Sequence, residues 1–415
     1  MLLRLIPPEA LEGLALAFKY LYITLPIWLP AAFLVSLFNA WISYKRSVFW
    51  QKEGSMLLEV KIPKEILKSP AAMEIVLEAF HQGGGEGTWI DRLWEGKTRS
   101  WSSLEIASIG GKIRFFIWIR PKHRNVIETQ IYSQFPNVEV YEAEDYTKSF
   151  YYNPDLYNVW GCEFALTKAD PYPIKTYNDY ALTGDKIGEK GAVPDGQIDP
   201  MTPMLEFFGS IPEGHNIWVQ IIIRAHKKKR LWDVFGEKED SWKDEAKAEI
   251  KKIKEGFKDS APTKTDTDLI AALDRSVSKL PFDCGMRAIY IAEKDKFNPG
   301  FIGGITGAFK QFGSVNLNGL RPAGWFTIFD YPWEEWGNPK EKFKPLVLEE
   351  YKLRRYFYSP HRGKKNWGKD VYSKPFVLNT EELATIYHFP GRTAATPTLE
   401  RVPSKKSEAP YNLPI

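Results

Sequence analysis

One apolar stretch near the N-terminus stands apart from the mixed pattern of the rest of the chain. Residues 21–42 contain no charged side chain. A helix of this length rises about 33 Å, at roughly 1.5 Å per residue, and so crosses a bilayer core of about 30 Å. Prolines kink such a helix rather than end it, and tryptophans suit the membrane interfaces. We assign residues 1–50 to a membrane anchor marked by Leu21, Pro26, Trp28, Pro30, Trp41 and Ile42.

Two other interpretations of this stretch are a cleaved signal peptide and an interfacial hairpin broken at its prolines. A signal peptide ends in small residues with an A-x-A pattern, which residues 39–44 lack. The basic flanking residues are Arg4 and Lys19 before the stretch, and Lys45, Arg46 and Lys52 after it. The positive-inside rule therefore favours a cytoplasmic C-terminal domain. We expect a single-pass protein of the cell membrane.

Residues 55–150 show the order strand, helix, strand, strand, helix, strand. Alternation in Met56–Ile62 predicts a half-buried strand. Ser69 before Pro70 is typical of a helix start, and two glycines at 110–111 predict a hairpin turn. The other predicted elements are strands Leu104–Ile109, Ile113–Ile119 and Val138–Tyr141, and a helix containing Ile127, Ile131 and Phe135.

The same order recurs in residues 158–335. An insertion at about 226–281 is charged and has a helical pattern. Two βαββαβ units are typical of a duplicated ferredoxin-like fold, so the predicted class is α+β. The elements predicted for the second unit are strands Cys162–Thr167, Ile217–Arg224, Arg287–Ala292 and Trp325–Phe329, and helices Met201–Phe208 and Phe301–Phe312.

The C-terminal region has a different pattern. Residues 336–391 are predicted to hold a helix at 341–360 and a short helix that starts at Asn379, with acids in its first turn. Prolines and polar residues predict an extended arm at 392–415. The arm is a candidate docking tail for a partner, and its basic residues are Arg401, Lys405 and Lys406.

Composition and motifs favour binding over catalysis. The formal net charge is +4 and two cysteines occur in 415 residues, which is not a disulfide framework. Each cysteine is expected to fill a core position. The sequence has no G-x-x-x-x-G-K-[ST] motif and no H-x-x-x-H or C-x-x-C spacing. We predict no catalytic residue, no metal and no cofactor; an enzyme without a recognisable motif is a third alternative.

One strand carries a candidate binding face. In the third predicted strand the residues on one side are Arg114, Phe116, Trp118 and Arg120. Aromatic and basic side chains on an open sheet are what RNA-recognition sheets use to stack bases. Neighbouring strands place Glu59 and Glu139 on this side, which would repel phosphate. A contact face for a protein or another domain is therefore the favoured interpretation.

A basic run follows the strand that ends near Arg224. It includes Lys227, Lys228, Lys229 and Arg230. Such a run is most often a solvated loop. Binding to lipid headgroups or to nucleic acid is the alternative.

Three long segments carry a resemblance to a known family: residues 60–97, 103–147 and 378–414. Together they resemble the membrane-anchored N-terminal region of bacterial conjugative-transfer or type IV secretion-like proteins. In that family such a region can precede a HerA/FtsK-like DNA-pumping ATPase. The 415 residues stop where a motor domain is expected to begin. The motor is then a separate polypeptide, or the chain is a non-motor paralogue or a fragment, and no ATPase residue can be transferred to it.

The resemblance implies a non-enzymatic, membrane-anchored scaffold of a translocation machine. It would recruit a separate ATPase motor at the cytoplasmic face, and it could form homo-oligomers. The alternative is a membrane-tethered module that binds single-stranded nucleic acid through the aromatic and basic strand.

Overall fold

The computed structural model describes residues 8–63, 68–82, 84, 86–182, 199–227, 242–256, 262–361, 363–366, 368–390 and 401–402. The chain divides into two compact units. One comprises Met1–Glu53 and Gly84–Thr98, and the other comprises Gly54–Gly83 and Arg99–Ile415. Each is described here by itself.

The first unit is built on one long helix, α1 (Pro8–Glu53), with a short helix α3 (Trp89–Leu93). Pro26 and Pro30 lie inside α1, which continues through both. Within it, Ala15–Glu53 is long and apolar enough to cross a membrane. The structure therefore confirms the predicted helix of membrane-spanning length and extends it at both ends.

The second unit contains one large sheet and the remaining helices. Its strands are β1 (Met56–Pro63), β2 (Ser102–Ile109), β3 (Lys112–Ile119), β4 (Glu139–Ala143), β5 (Tyr157–Leu166), β6 (His215–Ala225), β7 (Pro281–Glu293), β8 (Leu320–Ala323), β11 (Phe376–Asn379) and β12 (Arg401–Val402), and β9 (Lys365–Asn366) pairs separately with β10 (Lys369–Asp370). Its helices are α2 (Pro70–Glu78), α4 (Arg124–Gln134), α5 (Met201–Gly209), α6 (Trp242–Glu255), α7 (Lys264–Ser278), α8 (Gly300–Ala308), α9 (Pro339–Lys352) and α10 (Thr380–Ile386).

The main strands lie in the order β4-β1-β3-β2-β6-β7-β5-β8, and every neighbouring pair is antiparallel. The first four strands in this order come from residues 56–143, and the last four come from residues 157–323. The two halves join where β2 pairs with β6. The second half repeats the strand order of the first half in reverse, so one continuous sheet runs through both.

Local signals account for several elements. Gly110 and Gly111 have positive φ angles in the turn between β2 and β3, as a tight hairpin turn requires. The Asn379 side chain accepts from the Glu382 backbone N–H, and the Glu382 carboxylate accepts in return from the Asn379 N–H. This capping box begins α10 where the sequence predicts a helix.

The apolar core lies on one face of the sheet, under the helices. Ile113, Phe115 and Ile117 of β3 point into it. Alternate residues of a strand point to opposite faces, so the even-numbered residues of β3 lie on the other side. Helical members of this core are Met73, Val76, Leu77, Ile127, Ile131, Met204, Leu205, Phe208 and Ile305.

Two predicted elements are wrong in place or length. Trp325–Phe329 is not a strand: Trp325–Thr327 is a short 3-10 helix, and the strand β8 precedes it. Gly324 and Trp325 both have positive φ angles, which end the extended backbone there. The helix predicted for 341–360 is α9, which ends at Lys352, and Arg354 follows with a φ of 50°.

Candidate functional site

A row of polar side chains crosses the second face of the sheet. In the strand register, Glu105 lies opposite Gln220, Gln220 opposite Arg287, and Arg287 opposite Glu163. All four side chains are buried. Each sits between two apolar neighbours in its strand, and that is the sequence signal by which the row could have been found.

Arg354 binds the Glu105 end of this row. Its Nε lies 3.0 Å from Glu105 Oε1 and its Nη2 lies 3.0 Å from Glu105 Oε2. The guanidinium also donates to Asp145, and the Tyr146 hydroxyl donates to Glu105 Oε2 at 2.8 Å. Burial opposes the charge on Arg354, but the Glu105 carboxylate outweighs it and raises the pKa of the guanidinium. Arg354 therefore stays charged at physiological pH.

Gln220 links Arg287 to the pair formed by Glu105 and Arg354. Its Nε2 donates to Glu105 Oε1 at 2.8 Å, and its Oε1 accepts from Arg287 Nε at 2.7 Å. Arg287 also donates to the backbone carbonyls of Glu350 at 2.7 Å and Arg355 at 3.0 Å. These bonds hold the end of α9 and the segment after it against the sheet. The row therefore has a structural role, which we call the clamp: its hydrogen bonds hold this segment on the sheet.

The predicted binding face on β3 is not an open surface. Phe116 is buried and stacks on Tyr146 with ring centroids 4.8 Å apart. Trp118 is buried with its ring centroid 5.9 Å from that of Trp101. Segments distant in sequence cover these rings, so they are not available to stack on bases.

The two arginines of that face differ. Arg120 is buried, lies 4.5 Å from the Trp101 ring centroid and donates to the Gly54 carbonyl at 2.6 Å. Arg114 is partly exposed, and its Nε lies 3.9 Å from Glu59 Oε1. The acids on this face thus include Glu59, as the sequence indicates.

The basic run is described only at its start. Lys227 is exposed, while Lys228, Lys229 and Arg230 lie outside the described residues. His226 and Arg224 both contact the Asp283 carboxylate. Burial raises the pKa of Asp283, but the bond from His226 and two nearby arginine charges outweigh burial and lower it to about 2. Asp283 therefore remains a carboxylate between cations.

Only a small part of the predicted docking tail is described. Arg401 and Val402 form β12, which pairs in parallel with Ile62 and Pro63 of β1. Lys405 and Lys406 lie outside the described residues. Within the described residues, the arm contacts the sheet at these two positions.

Helix α10 is buried along its whole length. After it, His388 Nε2 lies 2.9 Å from Asp199 Oδ2, and Nδ1 lies 2.9 Å from the Ala384 carbonyl oxygen. Burial opposes a charge on His388, but the Asp199 carboxylate outweighs it and raises the pKa of the imidazole. Both ring nitrogens are engaged, so this pair is a buried ion pair.

Neither cysteine has the surroundings of a nucleophile. Cys162 and Cys284 are fully buried, and burial raises the pKa of both thiols. A reactive cysteine needs a thiolate and access to solvent. Within the described part of the chain, no group of three or more His, Cys, Asp or Glu side chains could hold a metal ion.

One exposed aromatic cluster lies beyond β8. Tyr331 and Trp333 stack with centroids 4.7 Å apart, and Trp336 is 75 % exposed. We call Tyr331, Trp333 and Trp336 the aromatic ledge. Asp330, Glu334 and Glu335 lie next to it in sequence, and Lys369 bridges the first two of these acids. This surface was not predicted from the sequence.

In the anchor, the side chains between the predicted ends are mostly exposed. Leu21, Trp28 and Trp41 are exposed, and Pro26 and Pro30 are exposed as well. Ile42 is half-buried. The helix thus exposes apolar side chains over the part that is long and apolar enough to cross a membrane.

Comparison with known proteins identifies a family for most of the chain. The family described as a domain of unknown function, DUF8128, matches residues 48–321. No curated protein matches the chain. Because the match spans more than half of the 415 residues, the chain belongs to the DUF8128 family.

Proposed function

We propose that this protein is a membrane-anchored, non-enzymatic scaffold that recruits a separate ATPase motor at the cytoplasmic face of a conjugation-like or type IV secretion-like translocation machine. The observation that carries the proposal is α1. A helix of 46 residues with an apolar, exposed central part belongs to the same chain as a large compact α+β unit. Such a chain holds a folded domain at a bilayer.

The electrostatics of the second unit support a holding role. The charged row on the covered face is engaged in bonds that clamp segments onto the sheet, as in Arg354 with Glu105. The buried His388 is paired with Asp199. Groups fixed in this way stabilise one arrangement of the chain.

The strand order supports two ferredoxin-like units. β4-β1-β3-β2 and β8-β5-β7-β6 each place the third strand beside the first and the fourth at the edge. Helices α2 and α4 connect strands in the first half, and α5 and α8 do so in the second. A split βαβ repeat has this arrangement. We include this duplication in the proposal.

A protein partner is favoured over nucleic acid. The rings of Phe116 and Trp118 are buried, so the alternative loses the surface from which it was inferred. At the aromatic ledge, the neighbouring acids are paired with lysines, Glu335 with Lys340 and Glu334 with Lys369, so these lysines are already engaged by carboxylates. Exposed tryptophan and tyrosine are instead enriched where proteins bind one another. The ledge and the arm at 392–415 are the proposed partner surfaces.

Anchoring is tested by charges in the apolar run. The double variant Ala32→Asp, Val35→Asp adds a cost of roughly 2.5–3.5 kcal/mol per charge at the centre of a membrane helix. We expect the unaltered chain to remain in the membrane pellet at alkaline pH and the double variant to be released. Val315→Asp, at a position 92 % exposed in the second unit, is the control. Release of the unaltered chain would contradict anchoring.

Recruitment is tested by co-expression with a Walker-type ATPase encoded by a neighbouring reading frame. Capture of the full chain should recover the ATPase, and deletion of residues 392–415 or the change Trp336→Ala should reduce recovery. Tyr151→Ala, also at a highly exposed aromatic residue, is the matched control. Equal recovery with all variants would show that neither surface is the dock. No recovery with the full chain would contradict the scaffold proposal.

A further inference from the structure

The segment that contains α3 exposes apolar side chains in the first unit. Trp89 is 64 % exposed, Ile90 is 46 % exposed and Trp94 is 64 % exposed. The start of the helix is well formed, because Thr88 and Asp91 make a capping box. These two tryptophans and the isoleucine form an exposed apolar surface at a well-formed helix. Exposed apolar surfaces mark interaction sites.

This segment is held on the C-terminal part of α1. Trp41 Nε1 lies 3.2 Å from the Leu93 carbonyl oxygen. The rings of Trp41 and Trp94 have centroids 5.8 Å apart. Further along, Trp50 Nε1 lies 2.9 Å from Thr98 Oγ1. Residues 93–98, which end α3 and follow it, are therefore fixed to the helix.

Gly96 permits this close approach. It has a φ of +70°, and a Cβ added there would lie 2.4 Å from the Lys45 carbonyl carbon. Any larger residue would push the segment away from the helix. Gly84, in the same stretch of chain, has nothing within 4 Å of an added Cβ. The requirement for glycine is thus specific to position 96, where the segment contacts α1.

The position of this contact along α1 sets its depth in a bilayer. Trp41 is the next-to-last residue of the apolar stretch 21–42, and Lys45 and Arg46 are the first charged residues after it. The Lys45 ammonium lies 4.8 Å from the Trp41 ring centroid and 6.0 Å from that of Trp94. Tryptophan rings favour the level where hydrocarbon meets headgroups, and lysines there contact anionic lipid.

We propose that Trp89, Ile90 and Trp94 form a second membrane contact that inserts into the headgroup region of the leaflet in which α1 ends at Trp41. The proposal rests on the proposed anchoring of α1. The occupant of the exposed surface is lipid because the surface continues the Trp41 end of the apolar helix. This contact sets the rotation and tilt of the anchor, which interfacial aromatic residues determine in membrane helices.

The test uses the full chain reconstituted in vesicles of phosphatidylcholine and phosphatidylglycerol. A fluorescent nitrobenzoxadiazole label is attached to one introduced cysteine in each of three variants, Trp89→Cys, Val35→Cys and Val315→Cys. Cys162 and Cys284 are fully buried, so labelling reaches the introduced thiol. Lipids with a nitroxide in the headgroup or in the acyl chain then quench the label according to its depth.

We expect headgroup nitroxide to quench the label at position 89 and acyl-chain nitroxide to quench the label at position 35. The label at 315 should retain its fluorescence with both. Adding Gly96→Ala to the variant labelled at 89 should reduce quenching, and adding Gly84→Ala should leave it unchanged.

Three results would overturn the proposal, and they differ in meaning. Solvent-like emission at 89 together with quenching at 35 would show an anchored chain whose α3 segment is out of the lipid. Equal quenching at 89 and 315 would show no specific contact. Absence of quenching at 35 would contradict the anchor itself, and the second contact would fail with it.

Discussion

Tryptophan and basic side chains lie together in two regions of the molecule, on β3 and beside α3. On β3, Trp118 lies under Arg120, whose guanidinium is 4.9 Å from its ring centroid, and both residues are buried. Beside α3, Trp94 has Lys45 near its ring and is exposed. The same residue types therefore lie in the interior on β3 and at the surface beside α3.

The two regions differ in burial because other segments of the chain pack over the rings of β3. The rings of β3 are closed off by Trp101, by Tyr146 and by Tyr351, which hydrogen-bonds to Tyr146 at 3.0 Å between the hydroxyls. Tyr351 is more than 200 residues from Phe116 in sequence. Within the first unit, the exposed rings of α3 have no such cover. An aromatic and basic pattern indicates a binding surface only where nothing else in the chain packs over it.

The largest contrast is expected between Phe116→Ala and Trp89→Ala. Phe116 is buried against Tyr146, and removing such a ring lowers the free energy of unfolding by about 3–5 kcal/mol. Trp89 is exposed, so its removal should change that free energy by about 0.5 kcal/mol or less. Urea unfolding of the detergent-solubilised full chain measures both. An equal loss of unfolding free energy in the two variants would contradict the assignment of Phe116 to the interior and Trp89 to the surface.

Arg354→Met tests the clamp over the covered face. It leaves Glu105 buried without its main cation, and breaking a buried pair in this way costs about 3–5 kcal/mol. Arg114→Met, on the same face but partly exposed, should cost about 1 kcal/mol or less.

The double variant Arg354→Met, Glu105→Gln separates the charge effect from lost packing. It should recover part of the stability, because no uncompensated charge then remains at position 105. If it is as unstable as the sum of both single variants, the two side chains do not act as a pair.

A smaller effect is expected from pH at the His388–Asp199 pair. The folded-state pKa of His388 is raised, because the Asp199 carboxylate outweighs the opposing effect of burial. The pair therefore stabilises the fold below the unfolded pKa of about 6.5, and this contribution is lost as pH rises through the folded-state pKa. Thermal unfolding between pH 5.5 and 9 should show a steeper decline for the unaltered chain than for His388→Gln. His361→Gln is the control, and parallel curves for all three would refute the pair's role.

The smallest effect on stability is expected from deletion of residues 392–415. This removes β12, which pairs with β1 at two residue positions. Because each hydrogen bond contributes about 0.5–1.5 kcal/mol net, the loss should be about 1–2 kcal/mol at most. Circular dichroism should show the same fold, and collapse of the sheet would mean that the arm is part of the core.

Local patterns predict much of the fold. The glycine pair at 110–111 predicts the hairpin of β2 and β3, and the acids after Asn379 predict α10. Helices α6 and α7 lie within the insertion predicted at 226–281. Each of these elements depends on hydrogen bonds or apolar spacing within a few residues. Such short-range patterns can be recognised in the sequence itself.

The differences between prediction and structure have several causes. The β3 face was favoured as a contact face for a protein or another domain, with an open base-stacking surface as the alternative, and the residues that cover it come from 101, 146 and 351. The strand predicted at Trp325–Phe329 fails because Gly324 and Trp325 turn the backbone out of the extended conformation. Helix α3 was not predicted, because a run as short as Trp89–Leu93 shows no helical period.

The sequence by itself determined that one helix is long and apolar enough to span a membrane, and where the main strands and helices lie, because the period and length of apolar residues express these directly. The tertiary structure alone decided that Phe116 and Trp118 are interior, that Glu105, Gln220, Arg287 and Glu163 form one row, and that Trp94 lies against Trp41. These facts depend on which strands become neighbours and on which distant segments cover them. Burial is a property of the assembled chain, and no local pattern specifies it.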